Sequence, residues 1–264
     1  VVLEHAIKQL MIKNTIKFYF NLNRFSCRAP FYEITDFWKD ASVIKKHAEK
    51  GEKQPIVIIV DNGSTPEDRL ALKSLKAMGV EIIVIDHHDP VDMIETKEQD
   101  NQKFKSGNCP FLKYHLNPYL YGQDGQISAG MLCYEIAQKI WRFKEYKEIP
   151  AIAGLDDRCE LPEIEQYIER SGKSKEWLLQ RGAVLDYSQF TSKFDPPTDV
   201  VLELIANEQL GDVLYAQIEE DVKSKMGTLM PHVKEIASKN GSKVFTVDLQ
   251  NLTARFSYPR SGKV

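Results

Sequence analysis

The spacing of apolar residues changes several times along this chain, and the changes divide it into elements. Leu3, Ala6, Ile7, Leu10 and Met11 recur at helical intervals and predict a helix over residues 1–13. The segment "TIKFYFNL" (15–22) reads as a strand, and residues 28–53 as a turn, a helix and a polar loop. "PIVIIV" (55–60) is apolar throughout and β-branched, the pattern of a strand covered on both faces of a parallel sheet. Leu70, Leu72, Leu75 and Met78 then return to helical spacing. Thr65 fits the N-cap of that helix, Pro66 its first position and Asp68 the capping box, and Gly79 fits its stop. "VEIIVI" (80–85) is a second buried strand, which completes a βαβ unit with a right-handed crossover.

Beyond it the pattern loosens. Residues 89–113 are polar and read as a loop. "FLKYHLNPYL" (111–120) reads as a strand running into a turn at Asn117-Pro118, and "GQDGQ" (122–126) as a loop. Ser128 can cap a helix in which Leu132, Ile136 and Ile140 share a face. A third apolar run, "IPAIAGLDDR" (149–158), ends in acids. Residues 160–222 are helical and charged, interrupted at "SKFDPPTD" (192–199). A last helix is expected over 229–239, followed by two strands in "KVFTVDL" (243–249) and "LTARFSY" (252–258). The expected fold class is α/β. A mostly parallel sheet with helices on both faces occupies residues 1–215, and a linker helix with the start of a smaller α/β domain occupies 216–264.

Composition narrows this picture. At 264 residues, 42% hydrophobic and 28% charged, the chain has an ordinary globular balance. It has no apolar run near the ~20 residues of a membrane span and no basic-apolar leader. Cys27, Cys109, Cys133 and Cys159 form no C-x-x-C pair, which argues against a zinc knuckle or disulfide framework and for a reducing cytoplasm. A net charge of −3 argues against a bulk electrostatic nucleic-acid binder. It leaves open a carboxylate-rich site that meets phosphate through metal ions. The chain starts at Val1 and stops just after a strand, so it reads as the middle piece of a longer protein.

Ligands of doubly wound sheets bind at the carboxyl ends of the strands. Asp61 directly follows the first apolar strand, and Asp86, His87 and His88 directly follow the second. One helix joins the two strands, so these groups are expected side by side. Carboxylate with imidazole is a ligand set for Mn²⁺, Fe²⁺ or Zn²⁺. Bridging carboxylates suit a two-metal centre with ions ~3.5–4 Å apart. Asp156 or Asp157 would add a further carboxylate. Taken singly, each has a structural reading: Asp61 as a turn residue, the histidine pair as surface, Asp156 and Asp157 as a solvated loop with Arg158 as ion-pair partner. Their joint placement at successive apolar runs favours a site. In "NRFSCRAPFYE" (23–33), Arg24 and Arg28 flank an aromatic and mark a candidate loop for contacting a nucleic-acid strand.

In order along the chain, "VIIVDNGS", "IIVIDHHDP", "SAGMLCYEIA" and "AIAGLDDR" resemble successive motifs of the DHH phosphoesterase family. "HLNPYLYGQDGQISAGMLCYEIA" and "IPAIAGLDDRCELPEIEQYI" are most similar to archaeal RecJ-like exonucleases. The resemblance spans roughly residues 1–215, and the segment from 240 onward resembles the opening of a DHH-associated domain. It implies that Asp61 bridges two metal ions, that His87 and Asp157 are ligands, and that His88 contacts phosphate or completes the ligand shell. Asp86 would orient a histidine. Asp157 is chosen over Asp156 because the family's acid directly precedes an arginine. Arg158 would contact phosphate, and Ser128 with the following amides would offer a helix N-terminus to an anion. The implied cofactor is Mn²⁺ or Mg²⁺, two ions in the complete protein. The family's first D-x-D-type motif is absent from these residues, so the piece alone would hold at most one ion well and have impaired activity. The implied activity is exonucleolytic cleavage of single-stranded DNA or RNA, with replication or repair proteins as partners. The alternatives are a phosphoesterase for short oligonucleotides or cyclic dinucleotides, and a non-catalytic replication scaffold related to RecJ.

Overall fold

Three parallel strands carry the first part of the molecule. The computed structural model describes residues 2–13, 31–48, 54–90, 95–99, 102–106, 109–191, 198–239 and 242–248. The strand expected at 15–22, and with it Arg24 and Arg28, lies outside the described residues, as does the strand expected at 252–258. The chain divides into two units, Val1–Leu178 and Leu179–Val264, and residue 215 falls within a helix of the second.

In the first unit, β1 (Ile56–Val60), β2 (Glu81–Ile85) and β5 (Tyr114–Leu116) form a parallel sheet in the order β1-β2-β5. Ile59 pairs with Val84 and Val84 with His115, which brings all three strand ends to one edge. Helices α2 (Ile34–Ala48) and α3 (Arg69–Ala77) cover one face, where Phe37, Ile44, Leu72 and Leu75 pack on Ile59, Ile82 and Val84. Helices α1 (Val2–Lys13) and α4 (Ala129–Ile140) cover the other, where Leu3 and Cys133 pack with Ile85 and Leu116. The α/β class with helices on both faces is therefore as expected.

The crossover between β1 and β2 begins as its sequence suggests. Asp68, fully buried, accepts hydrogen bonds from Thr65 N (2.7 Å) and Thr65 Oγ1 (2.8 Å), and also from Tyr32 N (2.6 Å). It thereby ties the loop after β1 to the segment before α2. One expectation is not met among the described residues: they cover β1 on one face only. Ile56, Ile58 and Val60 are 58%, 40% and 39% exposed, because α1 and α4 pack over β2 and β5 and leave the outward face of β1 uncovered among the described residues.

Other expectations fail on polar segments. Within the expected loop at 89–113, β3 (Glu95–Gln99) and β4 (Gln102–Ser106) form an antiparallel hairpin. "ETKEQ" and "QKFKS" offer no apolar alternation by which a strand would be read. The third apolar run is a helix, α5 (Ile149–Asp156), followed by α6 (Pro162–Ser171). In α4, a Cβ on Gly130 would lie 2.4 Å from Ala153 Cβ, so a glycine there lets α5 approach closely. That approach carries the end of α5 toward the start of α4.

The second unit continues α7 (Lys175–Thr191) and holds α8 (Thr198–Ala206) and α9 (Glu208–Leu229), packed around Val184, Leu204 and Ile218. The helix expected over 229–239 is instead β6 (Lys234–Lys239), antiparallel to β7 (Ser242–Thr246). Pairing with β7 outweighs the local helix formers. No helix among the described residues is long and apolar enough to cross a membrane.

Candidate metal centre

The ends of β1 and β2 set the site. Asp61 follows β1 directly and donates its backbone N–H to Ile85 O (2.9 Å), which fixes it beside the end of β2. Its φ of 62° lies in the left-handed region, where a non-glycine residue carries strain. Asp86, His87 and His88 follow β2. One ligand atom each from Asp61, His87 and His88 lies within 4.8 Å of the others.

The histidines are held from behind. His87 Nδ1 meets Gly125 O at 2.8 Å, so the ring donates there and turns Nε2 outward. Nε2 lies 3.2 Å from Asp61 Oδ1 and 4.0 Å from Asp157 Oδ2. His88 Nδ1 lies 2.7 Å from Asp86 Oδ1, and that same oxygen accepts the backbone N–H of His87 at 2.8 Å. Asp157 arrives from the C-terminal end of α5, next to Arg158, whose φ of 56° is also left-handed.

Electrostatics follow this geometry. The hydrogen bond to Asp61 outweighs burial and pushes the His87 imidazole up to about 9. Asp86 raises His88 in the same way. Burial alone would raise the Asp86 carboxyl, but donors from His88, Ser64 and His87 hold it below the usual carboxylate range. Burial, and then the neighbouring Asp61 carboxylate, raise Asp157. A carboxylate drawn up by another carboxylate, facing an imidazolium, is a group of charges that a divalent cation would neutralise. The donor set fits such an ion: Asp61, His87 and His88 converge, with Asp157 on the far side of His87.

Of the residues singled out from sequence, Asp61, Asp86, His87, His88 and Asp157 come together at this edge. Ser128 has a different place. It is fully buried, its Oγ accepts Met131 N (3.3 Å) as the N-cap of α4, and it lies close enough to lower the Asp157 carboxyl. Sequence reasoning passed over Ser64, Asn117 and Gly125, which contact the histidines or each other behind them. The one local signal was "HLNP", a polar pair alternating at the end of the third strand.

Two outcomes follow from these details. Asp61→Gly relieves left-handed strain as it removes the ion pair with His87, so metal-free stability is expected to stay within about 1 kcal/mol of wild type. Thermal stabilisation by Mn²⁺ is expected to vanish in that variant. Thermal unfolding with and without Mn²⁺ checks both. The pH dependence has a definite sign. His87 holds a proton in the folded, metal-free protein that the unfolded chain releases near 6.5. Its contribution is therefore complete below 6.5 and is lost as pH rises through about 9. Measured in chelator by urea unfolding, the stability gap between wild type and His87→Gln is expected to shrink across that window.

No family model matches the chain. In an alignment 262 positions long that covers 89% of this chain, it is 32% identical to an uncharacterized protein of Methanocaldococcus jannaschii, whose length it covers to 33%. A solved DHH domain, described as belonging to a member of the s1p family of ribosomal proteins, superposes with a TM-score of 0.86 at 34% identity. That superposition covers 99% of this chain and 62% of the solved one. The chain thus spans about a third of the curated relative and less than two thirds of the solved chain.

Proposed function

The chain carries a DHH domain, the fold of a family of metal-dependent phosphoesterases, and from that premise we propose that it cleaves phosphodiester bonds of single-stranded nucleic acid as an exonuclease. The observation that supports this reading is the convergence of Asp61, His87 and His88 at the strand ends, with His87 Nε2 between two carboxylates. Asp61, His87 and Asp157 would hold the ion. Bound there, Mn²⁺ or Mg²⁺ supplies Lewis acidity toward a phosphoryl oxygen and toward an attacking water.

The protein's own groups orient and balance charge. Gly125 O keeps the His87 proton on Nδ1, so that Nε2 stays available toward Asp61. Asp86 holds His88 through Nδ1, which leaves Nε2 of His88 for a phosphate oxygen or the ion. Arg158, directly after Asp157, supplies positive charge for a phosphate. The name of the solved neighbour, a ribosomal-protein family member, favours RNA as the polymer. The whole protein's second carboxylate set, its polarity and its replication or repair partners belong to the same proposal, as does the threading of a strand past Arg24 and Arg28.

The test is digestion of end-labelled single-stranded RNA and DNA by the full-length protein with Mn²⁺. Progressive shortening from one end, stopped by chelator, is the expected result. Cleavage confined to dinucleotides would make the protein a small-molecule phosphoesterase, and no metal-dependent cleavage of either would favour a scaffold.

A further inference from the structure

One short segment, residues 117–126, touches both histidines of the centre, and the side chain that anchors it has no part in the proposed chemistry. Asn117 directly follows β5 and is 1% exposed. Its Nδ2 donates to His88 O (2.9 Å) and to Ser64 Oγ (3.1 Å), in the loop after β1. Its Oδ1 accepts Tyr119 N (3.1 Å) and so caps a 3₁₀ turn, Pro118–Tyr121. That turn stops at Gly122, whose φ of 73° is left-handed, and Gln123 N closes it on Pro118 O (3.1 Å). The chain then runs against His87. Gly125 O meets His87 Nδ1 at 2.8 Å, and a Cβ on Gly125 would stand 3.0 Å from His87 O. Asp124 Oδ1 accepts Gln126 N (3.0 Å), which fixes the bend that carries the Gly125 carbonyl.

The Asn117 amide has one workable orientation. His88 O can only accept and Tyr119 N can only donate, so Nδ2 faces the first and Oδ1 the second. A flipped amide would set oxygen against oxygen and N–H against N–H in a buried place, where unmet polar groups are costly. Both Nδ2 hydrogens and the oxygen are thus engaged, and their partners lie on three separate segments. One planar group therefore fixes the loop after β1, the Asp-His-His segment after β2 and the turn after β5 relative to one another.

We propose that Asn117 is a positioning residue for the metal centre: its amide fixes the His88 backbone directly and, by capping the turn that leads to Gly125, fixes the carbonyl that holds His87 Nδ1 and aims Nε2 at Asp61. The proposal rests on the reading that an ion binds beside these histidines. The two arms are separable by substitution. Alanine at 117 removes both. Serine still caps the turn with its hydroxyl but is too short to reach His88 O, so it removes one.

The test is Mn²⁺ affinity of the full-length protein by electron paramagnetic resonance, with Asn117→Ala, Asn117→Ser and His87→Ala. Metal-free melting curves establish which variants fold, and Asn117→Ser, which keeps the cap, decides alone if Asn117→Ala does not fold. The expected result is an affinity about tenfold or more weaker for Asn117→Ala and about threefold weaker for Asn117→Ser. In pulsed spectra of ¹⁵N-histidine-labelled protein saturated with Mn²⁺, the coupling of a directly bound histidine nitrogen should persist in Asn117→Ser and weaken in Asn117→Ala. Hydrogen exchange of wild type needs no variant at 117. Coupling is reciprocal, so Mn²⁺ should slow exchange of the Tyr119 amide. A lowered melting temperature with wild-type affinity and nitrogen coupling would mean that Asn117 serves the fold alone, and an unchanged Tyr119 exchange rate on adding Mn²⁺ would equally overturn the proposal. If His87→Ala abolishes binding while both Asn117 variants bind as wild type does, the role of Asn117 fails and the metal reading stands. If wild type binds no Mn²⁺, both fall.

Discussion

His87→Ala is expected to lower Mn²⁺-dependent cleavage of single-stranded substrate by about a thousandfold, with the fold retained. Its Nε2 stands between Asp61 (3.2 Å) and Asp157 (4.0 Å). Losing it removes an ion's neutral nitrogen ligand and leaves two carboxylates facing each other. Lewis-acid stabilisation of a phosphoryl oxygen is worth several kcal/mol, and each 1.36 kcal/mol is about tenfold in rate. The ring is partly accessible and its structural bonds are few: one to Gly125 O and an ion pair to Asp61. The metal-free variant should still fold, losing only the stability that the His87 proton contributes below about pH 9. Digestion of end-labelled substrate under single-turnover conditions reads the effect. Equal cleavage by wild type and variant would remove His87 from the site.

The second large effect is expected from Asp86→Asn, at about ten- to a hundredfold in Mn²⁺ affinity and in kcat/KM. Asp86 is fully buried, and its Oδ1 serves His88 Nδ1 (2.7 Å) and the backbone N–H of both His87 (2.8 Å) and His88 (3.3 Å). Asparagine keeps the size and one acceptor, so the backbone turn survives. It removes the charge that raises His88 and places an NH₂ group against Ser64. The change thus separates orientation from folding. Isothermal titration with Mn²⁺ measures it, and a loss below threefold would mean that Asp86 serves only the turn.

How much of this was legible beforehand depends on the residues concerned. Asp61 and the Asp-His-His segment stood out because each directly follows an apolar β-branched run, and a parallel sheet carries such residues to one edge. The helices that cover both faces were legible at Leu72 and Leu75 on one side and Leu132 and Ile136 on the other. What lay hidden depends on contacts between distant segments. Ser64 and His115 are 51 positions apart, and β5 is three residues long, too short to show a period. The Gly125 carbonyl carries no side-chain signal at all. Strand β1 differs because an apolar run reports that burial is possible, whereas coverage is set by the segments that arrive; among the described residues α1 and α4 pack over β2 and β5 and leave Ile56, Ile58 and Val60 outward. Residues 234–239 misled because Lys, Glu and Ala favour a helix locally, while pairing with β7 decides the outcome. Asp157 was legible as an acid after an apolar run, but not as the end of a helix drawn in by Gly130.

The most direct measurement is the anomalous signal of Mn²⁺ in crystals of the full-length protein soaked with the ion. The account predicts a peak in coordination contact with the Asp61 carboxylate and His87 Nε2, absent in His87→Ala. A crystal with Mn²⁺ bound elsewhere and none at the ends of β1 and β2 would contradict it.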